Sequence, residues 1–546
     1  MGKIKISTII VILSLTTALS CVSGMAFTNS IKSTMGAYEY STGESESEEI
    51  TKEITSCSHD EEKPSEEGST REEISKREDI SEVEETSEID YTGDDYSYEV
   101  LNDGTISITK YNGSDTEIVI PSRINGKKVT KIKSNSNYNS VFPSGIKKVI
   151  IPNTVTEIGE WTFYYQTELT DVIIPNSVMT IGGNSFYACK QLASLNIPDS
   201  VTTIGNRAFY GCVRLTSIAI PNSVTEISGQ VFSGCIGLTS VTIPDSVTEI
   251  GYCAFSGCTG LTSIAIPDSV TTIGNCSFEG CTGLTSITIP DSVTEIGSYS
   301  FEGCTGLTNV TMGNNIRSIG ESAFEGCTGF TNVTIPYKVV VICEKAFYGC
   351  TSLKEIEVDS WNNNYKSVDG VLFNKNMTEI VLYPSGRKGE YNIPDSVTKI
   401  GSEAFSGCTG LTNVTIPDSV TKICGDSGEM VGAFSGCTGL TSITIPESVT
   451  EIGGYAFEGC TGLISVTLPN SVTLISYSAF EGCTSLTSIT LPNSVTLISY
   501  SAFEGCTSLT SITIPDSVTE ISSYAFSRCT GLTEITIPDS VTEISS

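Results

Sequence analysis

Histidine is almost missing from this chain: His59 is the single one among 546 residues. The long remainder therefore has no histidine to act as general acid, general base or metal ligand. Basic residues are scarce as well, with 30 Lys and Arg against 63 Asp and Glu and a formal net charge of −33. No stripe of cations is present to displace counterions from phosphates, which argues against nucleic acid as a partner. The same acidity disfavours anionic membrane surfaces. Beyond the N-terminal segment no apolar stretch is long enough to span a bilayer. No C-x-x-C, H-E-x-x-H, G-x-S-x-G or phosphate-loop pattern occurs, and nothing follows EF-hand or β-roll spacing. No enzymatic activity, cofactor or metal is expected. Carboxylates are plentiful, but they recur with the repeat described next, whereas a catalytic pair needs two distinct environments.

What the chain has instead is a beat of 23 residues, kept by Pro152, Pro175, Pro198, Pro221, Pro244, Pro267 and Pro290. The beat passes Gly313, returns at Pro336, weakens at Asp359 and resumes at Pro394, Pro417, Pro446, Pro469, Pro492, Pro515 and Pro538. That makes seventeen registers, or eighteen with the looser Pro121 segment. Such a period marks a solenoid. In the unit from Pro244 to Ile266 the recurrent apolar positions are Val247, Ile250, Phe255, Cys258, Leu261, Ile264 and Ile266. Ile264 and Ile266 alternate with polar or small residues, which predicts a short strand over Leu261–Ile266 that Pro267 ends. Val247 and Ile250 form a second short run, and Ala254-Phe255 before Gly257 predicts a single helical or 3₁₀ turn. One coil cannot bury enough apolar surface to offset its ordering entropy, so coils must stack about 4.8 Å apart with like positions aligned.

Of the 20 cysteines, fourteen from Cys189 to Cys529 share one phase and predict a buried ladder of free thiols. Cys253 and Cys276 share a different phase, one coil apart and nearer the surface, and are the disulfide candidates. At the N-terminus Lys3 and Lys5 precede the apolar stretch Ile9–Leu19 and small residues, so residues 1–26 read as a secretory signal. Ala18-Leu19-Ser20-Cys21 also approximates a lipobox, which makes Cys21 a lipidation candidate and a lipid anchor the one expected membrane contact. Residues 41–95 carry 21 acidic against 5 basic residues, and 27–95 reads as a disordered acidic stalk.

The string L-x-x-I-x-I-P-x-S-V-x-x-I-G-x-x-A-F-x-G-C closely resembles the BspA-type leucine-rich repeat of bacterial and protist surface proteins, over about four fifths of the chain. The resemblance implies a right-handed leucine-rich-repeat-like solenoid, with a parallel β-sheet along one face and short strands or 3₁₀ turns on the return side. It also implies an N-terminal capping region over 96–150, repeats over 151–546, and a β-hairpin insertion near 365–391. Most proteins it resembles are adhesins or surface-displayed binding proteins.

Specificity in a repeat array resides where the repeat breaks. From Asp359 to Pro394 is 35 residues, and this break holds Trp361, Tyr365, Arg387, Lys388 and Tyr391, residue types that favour interface hot spots. These are the candidate ligand-binding residues; the competing reading is that the aromatics seal the hairpin onto the solenoid. A second break, near 424–431, reads as a plain loop. Val541 and Ile544 lie in the last coil with no polar cap in the sequence, which truncation, end-to-end self-association or a fraying last coil would each account for. The expected function is adhesion, by an exported or surface-held solenoid, to extracellular protein or glycan ligands. A structural envelope or cell-aggregation role is the alternative.

Overall fold

The computed structural model describes residues 4–5, 89–423 and 432–545. The signal segment, Cys21, nearly all of the acidic stalk and the loop near 424–431 lie outside the described residues. Each coil contributes to two parallel ladders. The more continuous one runs through the second apolar run, where Glu249–Ile250 pairs with Glu226–Ile227 on one side and Thr272–Ile273 on the other. From the hairpin onward the sheet that carries this ladder has ten strands, the first two of them antiparallel strands of the hairpin. The other ladder uses three-residue strands such as Ser488–Thr490 and Ser511–Thr513, paired so that Ile489 meets Ile512. Like residues therefore stack from coil to coil, and columns such as those of Ile250 and Ile489 are buried by repetition.

The strand expected over Leu261–Ile266 is shorter than the alternation suggested. In this coil it reduces to a bridge between Ser263 and Ser286, and the neighbouring strand spans Ser286–Thr288. The leucine is taken by a turn, because Leu261 donates its N–H back to the Cys258 carbonyl.

No α- or 3₁₀-helix occurs among the described residues. The segment around Phe255 is instead a third intercoil ladder. Cys253, Phe255 and Gly257 donate their N–H groups to the carbonyls of Asn275, Ser277 and Glu279 at 2.9, 2.8 and 2.7 Å, while Ala254, Ser256 and Cys258 bond within the turn. Cys253 (φ 50°) and Gly257 (φ 71°) are left-handed, so the backbone reverses its sense at both ends of this ladder segment. Glycine fills most of the Gly257 column because it takes this φ at least cost, and Tyr165, Ala188 and Arg528 adopt it in the remaining coils. Two further sequence constants have the same origin. The serine after Pro-Asp donates to the valine carbonyl one coil back, as Ser246 does to Val224 at 2.6 Å. The ladder thiols donate to the phenylalanine carbonyl one coil back, as Cys258 does to Phe232 at 3.1 Å.

The core is a column of phenylalanines. Phe232, Phe255, Phe278 and Phe301 are fully buried, and their rings stack at 5.4, 5.4 and 5.3 Å. At the N-terminal end Tyr91, Tyr96, Tyr111 and Phe142 continue the column to Phe163. The first strand of this region is Asp90–Tyr91, six residues before the expected start of the cap, and it pairs with Arg123–Ile124. The fourteen ladder cysteines are buried free thiols.

The hairpin interrupts the core and then rejoins it. Tyr365–Val368 and Val371–Asn374 pair antiparallel, and Val371–Asn374 pairs in turn with Glu379–Leu382, which restarts the parallel ladder against Lys399–Ile400. Leu372 packs into the core before the hairpin, and Val371 and Phe373 into the core after it. Strand alternation thus lets one segment plug two cores.

Candidate functional site

The structure separates the five candidate residues of the hairpin break. Tyr365 is half-buried; its hydroxyl accepts from the Ile342 N–H at 3.2 Å and donates to the Val340 carbonyl at 3.4 Å, tying the hairpin to the preceding coil. Tyr391 packs on Tyr383 and Phe405, with ring centroids 4.8 and 6.1 Å away. Arg387 donates to the Asp369 carbonyl at 2.6 Å and lies over the Tyr383 ring at 5.4 Å. Lys388 and Trp361 are exposed, Trp361 to 80%. Next to Trp361, the buried Asn362 side chain donates to the carbonyls of Pro336 and Val339 and accepts from the N–H groups of Asn364 and Tyr365. Three of the five residues thus hold the hairpin in place, and two face solvent.

Where the hairpin's last strand meets the coils on either side lies a cavity of about 190 Å³, lined in part by Cys343, Tyr348, Tyr383 and Glu403. Glu403 accepts a hydrogen bond from the Lys345 backbone N–H, and Lys399 bridges Glu379 at 3.0 Å. The volume is smaller than the roughly 300–1,000 Å³ of small-molecule pockets. It suits a few waters rather than a ligand.

A surface the sequence reading passed over lies on the first coils. Tyr164, Tyr187 and Tyr210 occupy one column, with ring centroids stacked at 4.9 and 4.7 Å. Trp161 packs edge-on to Tyr164 at 4.8 Å, and Tyr138 covers Trp161 at 4.7 Å. Tyr165 flanks them, with its ring 6.0 Å from that of Tyr164. Tyr138 and Tyr165 are 70% and 54% exposed, and the other four are half-buried. The cause is the register. The position after the core phenylalanine is partly exposed in these first coils, so tyrosine there in three successive coils forms a terrace. The three tyrosines stand 23 residues apart in the sequence, which is the signal that could have found them.

That outward column and the left-handed column beside it are where the surface changes character. The column after phenylalanine reads Tyr164, Tyr187, Tyr210, Ser233, Ser256, Glu279, Glu302, Glu325, and the left-handed one reads Trp161, Asn184, Arg207, Gln230, Cys253, Cys276, Tyr299. Burial pushes the Glu302 carboxyl above its ordinary range, and Glu325 and Glu279 on either side push it further. Cys253 and Cys276 are free thiols in the structure, and their sulfurs lie within 4.8 Å of each other and of a Glu279 oxygen.

Comparison with known proteins gives a consistent likeness. The family description "BspA type Leucine rich repeat region" matches in six copies over residues 130–262, 248–379, 381–427 and 431–546. A leucine rich cell surface protein from Faecalibacterium prausnitzii is 30% identical, covering 83% of this chain and 94% of that one at a TM-score of 0.46. A leucine-rich repeat protein from Bacteroides ovatus is 25% identical, covering 83% of this chain and 99% of that one at a TM-score of 0.51. The pneumococcal vaccine antigen PcpA is 20% identical, covering 83% of this chain and 93% of that one at a TM-score of 0.42. No curated protein matches the chain.

Proposed function

This chain belongs to the BspA-type leucine-rich repeat family, and from that premise we propose that it is an exported surface protein that binds extracellular protein or glycan ligands through its N-terminal aromatic terrace. The carrying observation is the cluster of Tyr138, Trp161, Tyr164, Tyr165, Tyr187 and Tyr210. A soluble repeat has no structural need to display six adjoining aromatics, since the core column is already complete beneath them. Aromatic rings supply large, rigid contact area at low entropic cost, and they dominate binding energy where water is excluded. Their spacing of one ring per coil presents repeated apolar faces to an extended ligand.

Trp361 and Lys388 are the exposed residues of the hairpin break and form a second contact in this reading. Binding of the full chain to arrays of glycans and matrix proteins tests it. Trp161→Ala and Tyr187→Ala should each weaken the selected ligand by roughly tenfold or more, as central aromatic anchors do. Trp361→Ala should weaken it less. Unchanged binding in both terrace variants would refute the assignment, and turnover of any array member would return the protein to the enzymes.

A further inference from the structure

We propose that Cys253, Cys276 and Glu279 form a binding site for a thiophilic divalent cation such as Zn²⁺. Two observations meet here. The donor atoms, two sulfurs and a carboxylate oxygen, already lie within 4.8 Å of one another. An ion held at about 2.3 Å from sulfur and 2.0–2.2 Å from oxygen in tetrahedral geometry brings its ligands to roughly 3.5–4 Å apart, a small contraction from this arrangement. The Ser256 hydroxyl, 3.4 Å from the Glu279 carboxylate, donates to it and holds it toward the sulfurs.

Register explains why these three meet. Cys253 and Cys276 are neighbours in the left-handed column, with φ of 50° and 56°, so their side chains leave adjacent coils in parallel. Glu279 belongs to the next outward column, one turn further along the coil that carries Cys276. These cysteines differ from the fourteen ladder thiols, which sit at the core with their S–H groups spent on aromatic-residue carbonyls one coil back, phenylalanine in all but Cys408, which donates to Tyr383. In the same column other coils carry Arg207, Gln230, Tyr299 and Ser322, so cysteine is not needed there for packing.

A direct Cys253–Cys276 disulfide is the competing outcome, since coils stacked about 4.8 Å apart fall within the Cα separation of about 4.4–6.8 Å that an S–S bond spans. The Glu279 oxygen beside both sulfurs, which a disulfide leaves unused, favours a shared ion. A metal bridge joins the two coils through two metal–sulfur bonds. Two thiolates select a soft ion over Ca²⁺ or Mg²⁺, each thiol releasing its proton to water on coordination. With three protein ligands, the fourth position is left to water. The bound ion clamps two coils in the middle of the first array.

Titration of the reduced, metal-free full chain with Co²⁺ tests the site. The expected result is one equivalent bound with a thiolate-to-cobalt charge-transfer band in the near ultraviolet, displaced by Zn²⁺. Cys253→Ser and Cys276→Ser should abolish the band, Glu279→Gln should weaken binding by roughly tenfold or more, and Cys343→Ser should leave it intact. Circular dichroism establishes that the variants fold. Independently, Zn²⁺ should raise the melting midpoint of the wild type and not of Cys276→Ser. No band in the wild type, a band that survives loss of both cysteines, or a Cys253–Cys276 disulfide recovered from protein purified in Zn²⁺ would each overturn the proposal.

Discussion

Removing one ring from the phenylalanine column should break the array in two. Phe278 is fully buried and stacked on Phe255 at 5.4 Å and on Phe301 at 5.3 Å. Truncation to alanine loses the transfer energy of the ring and leaves a cavity, together about 3–5 kcal/mol. Each ring–ring contact adds about 0.5–1.5 kcal/mol beyond area, so burial rather than stacking dominates. Phe278→Leu should therefore recover most of the loss. Because a coil touches only its neighbours, the damage falls on one junction, and the coils on either side should melt as two transitions instead of one. Urea melts followed by circular dichroism, with hydrogen exchange to locate the weakened coils, measure this. A double-mutant cycle sharpens it: Phe255→Ala and Phe278→Ala should couple by about 0.5–1.5 kcal/mol. Phe278→Ala and Phe457→Ala, many coils apart, should be additive. A loss below about 1 kcal/mol for Phe278→Ala, or equal coupling in the two cycles, would refute the nearest-neighbour reasoning.

Thiol chemistry should divide the cysteines by column. The fourteen ladder thiols are buried beyond the reach of a disulfide reagent, so the folded protein should leave all of them unlabelled until denaturant is added. Among the described cysteines, peptide mapping should find label at Cys276 and Cys343, which are partly exposed. Glu302 gives a pH test. Its folded pKa is raised above the ordinary 4.5, so its ionised form opposes folding; the penalty is complete above the folded pKa and fades as pH falls through it. Glu302→Gln should accordingly raise the melting midpoint at neutral pH and lose that advantage below the ordinary glutamate range; a gain that persists in acid would point to packing instead. Ser246→Ala should cost about 0.5–1.5 kcal/mol by chemical denaturation, because it removes a donor to the Val224 carbonyl; no measurable loss would show that water replaces the serine there.

The repeat, the alignment of like residues, the buried thiol column and the hairpin were legible in the sequence, because each is written many times or marks a break in what is. A 23-residue beat of proline, phenylalanine and cysteine has few ways to bury its apolar positions, and stacking in register satisfies all of them at once. Secondary structure within a coil was less legible. Ala254-Phe255-Ser256-Gly257 has helix-turn composition, yet every second N–H, those of Phe255 and Gly257, is spent on the next coil, and no local pattern shows where an intercoil bond will go. At the hairpin, composition could not separate Tyr391, which is spent on packing, from Trp361, which is left in solvent. Only the fold decided that Trp161 and Tyr138 would meet the tyrosine column, and that Glu279 would come beside two cysteines. The sequence thus set which residues recur along each column, since the period alone fixes that. Which columns lie side by side depends on how the backbone turns between them, and that is a property of the closed coil.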